Sequence, residues 1–303
     1  MQLNQINMKH QSGFVSIIGK PNVGKSTLLN ALIGEKLSII SPKVQTTRHR
    51  IMGILSKPEY QIVFSDTPGI IEPKYKLHGN MMQFVNDSLQ DADAVIYLTD
   101  TFTSAEKDAD LIEKVKVIKT PLIILVNKMD ELSTNEEVIE RIGFWTQHVP
   151  NANAVIPVSA LNKFNLDLVM QTVLQYIPEG PAFYPDDQIT DRSERFIASE
   201  IIREKIMMRY KEEIPYSVQV EITEFKDEEK LLRISAEIYV MRDSQRQIMI
   251  GRGGIAIKSV GVAARRDMEQ FFGKQVFLQT YVRVKENWRD NDNLLKQFGY
   301  KND

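Results

Sequence analysis

Between residues 13 and 178, short apolar runs alternate with segments whose apolar residues recur at helical spacing. The runs are GFVSII (13–18), YQIVFSD (60–66), DAVIYLTD (93–100), PLIILVNK (121–128) and NAVIPVSA (153–160). KSTLLNALIG (25–34), AEKDADLIEKVKVIK (105–119) and LDLVMQTVLQYI (166–177) have helical character. Strand and helix taking turns in this way predict an α/β domain, a mostly parallel sheet with helices on both faces and ligand groups at the strand C-terminal ends.

The pattern breaks at IPEGPAFYPDD (177–187), where three prolines and a glycine read as a linker. Beyond it a long amphipathic segment (193–211) is followed by two alternating strands (216–225 and 231–240), a short helix ending on a glycine turn, a second helix and a last strand (275–284). The order is α-β-β-α-α-β, an α+β module. The expected division is therefore 1–178, a linker at 179–187, and 188–303.

Composition narrows the setting. A chain of 303 residues has room for two domains that fold without staples, and with no cysteine it has no disulfides or thiolate metal site, which suits a reducing cytosol. The N-terminus is polar, and no stretch approaches the roughly 18 to 20 apolar residues of a membrane span, so a soluble, cytoplasmic and monomeric protein is expected. The net charge of −2 conceals an asymmetry: from Arg242 to Arg289 there are ten Lys and Arg against four Asp and Glu. A solvated helix face and a nucleic-acid surface both fit that bias.

Candidate chemistry begins at GKPNVGKS (19–26), directly after the first strand and before a helix. Such a glycine loop turns consecutive N–H groups inward, and the following helix adds its positive end. The candidate nucleotide-binding residues here are Gly19, Lys20, Pro21, Asn22, Val23, Gly24, Lys25, Ser26 and Thr27. Lys25 would reach the β and γ phosphates, and Ser26 would ligate Mg2+. NKMD then supplies Asn127, Lys128 and Asp130; a carboxylate at 130 accepts the N1 and N2 hydrogens of guanine and repels the N1 lone pair of adenine, which selects GTP and GDP. Ser159 and Ala160 follow the next strand, where backbone N–H groups are expected to meet the guanine oxygen. DTPG (Asp66, Thr67, Pro68, Gly69) ends the strand at 60–66, placing Asp66 near the metal through water and Gly69 at the γ-phosphate. In SPKVQTTRHR (41–50), Thr46 and Thr47 are both candidates to close on Mg2+, with Thr47 preferred.

With these motifs in place the chain resembles the Era family of GTPases, and Ile70 stands where signalling GTPases usually have a water-orienting glutamine. The resemblance implies that a K+ ion held by Asn22 does that work, giving Lys25, Asn22, Thr47, Asp66 and Gly69 as the catalytic set and Ser26, Thr47 and Asp66 as the Mg2+ ligands.

A second glycine loop lies in MIGRGGIAIK (249–258). No Lys-Ser pair directly follows its last glycine, Lys258 and Ser259 coming only after three further residues, and no strand leads into it, so it is neither a second phosphate loop nor a dinucleotide fingerprint. Its frame is that of a KH module, in which a helix-GxxG-helix turn admits single-stranded nucleic acid close to bare backbone. Gly251, Arg252, Gly253 and Gly254 would clamp the sugar-phosphate chain, Ile250 and Ile255 would border the bases, and Lys258, Arg265 and Arg266 would supply charge. The element order is similar to that of the type II KH domain of ribosomal and ribosome-assembly proteins. YPDDQITDRSERFIASEIIREKI (184–206) and VKENWRDNDNLLKQFGY (284–300) resemble the Era family as well, so the likeness runs from Gly13 to Tyr300. It implies a GTP-hydrolysing switch that binds the 3′ end of 16S ribosomal RNA and acts in small (30S) subunit assembly. An RNA chaperone with a merely structural nucleotide site, and a peripheral switch at the inner face of the cell membrane, are the rival readings.

Overall fold

The computed structural model describes residues 10–102 and 105–301. In chain order the first part contains β1 (Gln11–Gly19), α1 (Lys25–Ile33), β2 (Ile51–Lys57), β3 (Tyr60–Asp66), α2 (Lys76–Gln90), β4 (Ala94–Asp100), α3 (Ala105–Lys116), β5 (Leu122–Asn127), α4 (Asn135–His148), β6 (Ala154–Pro157) and α5 (Leu166–Leu174). The second contains α6 (Glu194–Arg209), α7 (Ile214–Ser217), β7 (Gln219–Asp227), β8 (Leu231–Val240), α8 (Asp243–Ile250), α9 (Ile255–Phe272), β9 (Gln275–Val284) and α10 (Asp292–Gln297).

The larger sheet has the order β2-β3-β1-β4-β5-β6; β2 pairs antiparallel with β3 and every other neighbour is parallel. Strand order reverses around β1, so the loops leaving β1 and β3 open at a topological switch point, where doubly wound sheets bind ligands. The central strands are buried on both faces, as their uninterrupted apolar runs require: every residue of β5 from Leu122 to Asn127 is buried. Trp145 of α4 seals one face against Tyr97 of β4, ring centroids 5.4 Å apart. A capping box starts α4, with the Thr134 side chain accepting from the Glu137 N–H and Glu137 reaching back to the Thr134 N–H.

In the second sheet, β7-β8-β9, β7 and β8 are antiparallel whereas β8 and β9 are parallel. A parallel pair needs a crossover, which α8, the second glycine loop and α9 provide. Ile202 and Ile206 of α6 and Ala264 and Met268 of α9 bury the sheet face carrying Ile234, Ala236 and Ile238. Removing an isoleucine side chain from water in this way stabilises by about 1.5 to 3 kcal/mol. The α-β-β-α-α-β order expected from sequence is present, with the short α7 and α10 added.

Packing groups the chain differently from the boundaries read in sequence. One compact unit comprises residues through Ser38, His49–Ile71 and Met82–Asp191; the other comprises Ile39–Arg48, Glu72–Met81 and Arg192 onward. The proline-bearing segment belongs to the first unit because it is bonded there. The wholly buried Gln61 amide accepts from the Phe183 and Tyr184 N–H groups and donates to the Tyr184 carbonyl, and the Ile54 N–H donates to the Ile189 carbonyl at 2.9 Å. Residues 179–187 are thus laid against the sheet rather than slack. Residues 39–48, which contain Thr47, and residues 72–81, which follow the DTPG turn, meanwhile, pack as parts of the second unit.

Candidate functional site

The loop between β1 and α1 folds as the glycine spacing demands. Gly24 has φ 100°, and a Cβ there would meet the Asn127 amide nitrogen at 2.4 Å, so only glycine fits. Asn127 joins two loops: its amide donates to the Val23 carbonyl at 2.8 Å, and its oxygen accepts from the Ala160 N–H at 2.9 Å. Lys25 is buried, and its ammonium donates to the Gly19 and Lys20 carbonyls at 3.1 and 2.8 Å. Burial pulls its pKa from 10.5 to about 8, with Asp66 acting in the opposite direction. Lys20 pairs with the buried Asp108 of α3, a neighbour that no local motif announced. Asn22 is exposed with φ 64°.

Ser26 Oγ donates to Asp66 Oδ2 at 2.7 Å, which brings together two of the three expected metal ligands. A hydroxyl and a carboxylate are hard oxygen donors that fit Mg2+, an ion held by few protein groups and completed by phosphate and water. Thr67 Oγ1 donates to the Ile17 carbonyl at 2.8 Å, so this hydroxyl holds the turn. The Ile70 N–H donates to the Gly19 carbonyl at 3.0 Å while its side chain packs on the apolar core with Ile18 and Val95. Thr46 and Thr47 lie in the second unit. The Thr46 hydroxyl donates to the Lys43 carbonyl at 2.6 Å and its carbonyl accepts from Arg203.

At the loops expected to read the base, Ser159 Oγ donates to Asp130 Oδ1 at 2.5 Å and fixes that carboxylate's direction. Lys128 has φ 64°, pairs with Asp100 at 3.2 Å and lies over the Phe102 ring. The Ser159 and Ala160 N–H groups differ from expectation: they donate to the Phe164 carbonyl (3.4 Å) and to Asn127, so both are engaged within the protein.

The second glycine loop has another character. Gly251 (φ 72°) would place a Cβ 2.7 Å from that of Ala256, so the turn into α9 is tight, yet Arg252 and Gly253 are exposed. Beside it runs a shallow cavity of about 350 Å3 lined by Ile257, Lys258, Gly261, Val262, Arg265, Leu278 and Thr280. A neighbouring hollow on α9 is lined by Ile255, Lys258, Ser259, Val262, Ala263 and Arg266. Four of the residues expected from sequence, Ile255, Lys258, Arg265 and Arg266, therefore line these hollows; Ile250 is half-buried and lines neither. Sequence reasoning missed Gly261 and Leu278. A glycine in mid-helix, costly by about 1 kcal/mol against alanine, was the available signal for a place where something approaches closely.

Comparison with known proteins agrees with both halves. The family model described as a 50S ribosome-binding GTPase matches residues 14–128, and that of the KH domain matches residues 213–289. The chain is 42% identical to the GTPase Era of Staphylococcus haemolyticus over 97% of its own length and 99% of the relative, and 44% identical to that of Clostridium botulinum over 96% and 99%. Among solved structures it resembles Era in complex with MgGDPNP and nucleotides 1506–1542 of 16S ribosomal RNA, with a TM-score of 0.93 at 40% identity over 97% of this chain and 100% of that one. It also resembles a single-residue variant of Aquifex aeolicus Era bound to GDP.AlF4−, with a TM-score of 0.92 at 39% identity over 96% and 100%.

Proposed function

The chain belongs to the Era family of GTPases, and from that premise we propose that it is a GTP-hydrolysing switch that binds the 3′ end of 16S ribosomal RNA through its KH unit during small-subunit assembly. The observation that carries the reading is the pairing, on one chain, of a buried loop suited to a nucleotide's phosphates with an exposed loop and groove suited to single-stranded RNA.

In this reading GTP enters with its phosphates along residues 19–27. Lys25 exchanges two loop carbonyls for phosphate oxygens, and its proximity to Asp66 keeps it charged at neutral pH. Ser26, Asp66 and Thr47 would hold Mg2+, which when bound neutralises charge on the β and γ phosphates. Asp130, aimed by Ser159, accepts the guanine edge. Ile70, partly buried against an apolar cluster, has only hydrocarbon to offer and orients no water; Asn22, with K+, is assigned that task. At the other end, the backbone of Gly251 to Gly254 meets the sugar-phosphate chain, bases lie over Gly261 and Leu278, and Lys258, Arg265 and Arg266 neutralise phosphates.

Crosslinking in cells followed by mapping should recover the 3′ end of small-subunit RNA, and purified protein should turn over many GTP molecules per chain. A map lacking small-subunit RNA would overturn the assembly role. Turnover below one GTP per protein would favour the chaperone reading. Among the described residues no helix is long and apolar enough to cross a membrane.

A further inference from the structure

Residues 39–48, which carry Thr47, are built into the RNA-binding unit by a set of bonds that no sequence motif records. Arg48 is fully buried. Its guanidinium donates to the Val218 carbonyl at 2.7 Å and the Pro215 carbonyl at 3.0 Å, lies 5.8 Å from the Trp288 ring centroid, and has the Tyr300 hydroxyl as an electrostatic neighbour. Further along the segment, the Ile40 N–H donates to Glu204 Oε1 at 3.0 Å, Lys43 reaches the Met207 and Tyr210 carbonyls, and Arg203 donates to the Thr46 carbonyl. Trp288 and Tyr300 come from the C-terminal stretch, and Trp288 is itself fixed by donating to the Ser217 carbonyl at 2.9 Å.

Burying a guanidinium costs several kcal/mol unless its donors are satisfied, and no carboxylate among the described residues bonds this one. Burial accordingly pulls the Arg48 pKa below its ordinary value, with Tyr300 opposing. An apolar side chain would fill the same space more cheaply but would not fix the register of the chain. A planar fork held by two carbonyls does.

We propose that Arg48, seated in the pocket formed by Pro215, Val218, Trp288 and Tyr300, is the positioning residue for Thr47, holding residues 39–48 in one conformation. This rests on the reading above that the Thr47 hydroxyl ligates Mg2+ when the γ-phosphate is present. The peptide on either side of Thr47 is then immobilised before GTP arrives, by Arg203 on the Thr46 carbonyl and by the Arg48 side chain, and ordering the segment costs binding less. A residue acting only on fold stability would affect GTP and GDP alike, whereas one acting through Thr47 affects the triphosphate alone.

The test uses the full-length chain and its Arg48→Lys, Tyr300→Phe and Thr47→Ala variants. The affinities of a non-hydrolysable GTP analogue and of GDP are measured across a Mg2+ titration at fixed salt. Circular dichroism melts and RNA affinity without nucleotide serve as controls of folding. Arg48→Lys should weaken the GTP analogue at saturating Mg2+ by about tenfold while leaving GDP within about twofold, and Tyr300→Phe should do the same by about threefold. Thr47→Ala should remove the extra Mg2+ dependence of the analogue. If Thr47→Ala does so and neither Arg48→Lys nor Tyr300→Phe has a selective effect, Thr47 remains a ligand and the positioning role falls. If Thr47→Ala changes nothing, the ligand assignment fails and the positioning role with it. Equal loss of analogue and GDP, or a gain in analogue affinity, in Arg48→Lys would also overturn the proposal.

Discussion

The two glycine loops of this chain solve opposite problems. In the first, Gly24 presses on the Asn127 amide, Lys25 is buried, and the loop is joined to the segments after β5 and β6 through Val23, Asn127 and Ala160. In the second, Arg252 and Gly253 stand in solvent, and a Cβ at Gly253 or Gly254 would meet nothing. A terminal phosphate about to be transferred needs donors fixed in advance within a dry site, because reorganising them during the reaction raises the barrier. A polymer backbone needs only close approach and positive charge, since each phosphate resembles the next. Rigidity is built where chemistry occurs, and openness where a strand must be laid down.

That contrast can be broken most sharply at Asp130. Asp130→Asn replaces an acceptor with a donor facing the guanine edge and should weaken GTP on the order of 10³-fold in equilibrium titration, with xanthosine triphosphate preferred and RNA affinity unchanged. Persisting tight GTP binding would show that selectivity lies elsewhere. The reciprocal experiment, Arg252→Asp with Gly253→Asp, should reduce RNA affinity on the order of 10²-fold in filter binding at fixed salt while basal GTP hydrolysis continues. Loss of both activities would mean that the loops are less independent than they look.

A smaller effect should distinguish the buried lysine from the exposed arginine. Lys25 has a pKa of about 8, lowered by burial, and in the free protein it loses its charge as pH rises through that value. Phosphate favours the charged form, so binding takes up a proton around and above pH 8 and GTP affinity should fall by about fivefold between pH 8 and 9, whereas the lysine contributes no slope below about pH 7. RNA affinity should not follow this curve, because Lys25 is no part of the second loop. The smallest change expected is at Ile70: Ile70→Ala, which trims a side chain packed in the core, should leave turnover within about threefold. Exchanging K+ for Na+ should slow turnover, and Asn22→Ala should abolish that preference.

The legible parts of this molecule were those written locally. Strand, loop and helix at 13–34 are set by β-branched residues and by glycines whose conformations few other residues tolerate, and the helix-GxxG-helix turn is marked by four consecutive residues. The capping box at Thr134 and Glu137 is equally local and marks the start of α4, whereas β2, with a glycine, a serine and a lysine among its seven residues, does not stand out as an apolar run. What could not be read depends on partners distant in sequence. Gln61 looks like a flaw in an apolar strand until residues 183 and 184 arrive to use its amide, and the prolines that suggested a linker are held down by it. Lys20 and Asp108, or Arg48 and Val218, share no spacing rule at all.

The Arg48 pocket also bears on the order in which this protein can be completed during synthesis. Arg48 is made early, whereas Trp288 and Tyr300, which close around it, emerge roughly 250 residues later, on the order of tens of seconds at ordinary elongation rates. The sheet around β1 and β3 can form meanwhile, but residues 39–48 have no seat until the last helix is out of the ribosome. A chain that stops short of Tyr300 therefore leaves a guanidinium designed for a closed pocket exposed in its N-terminal half, and a defect at the very end of translation is registered beside the residues expected to sense GTP.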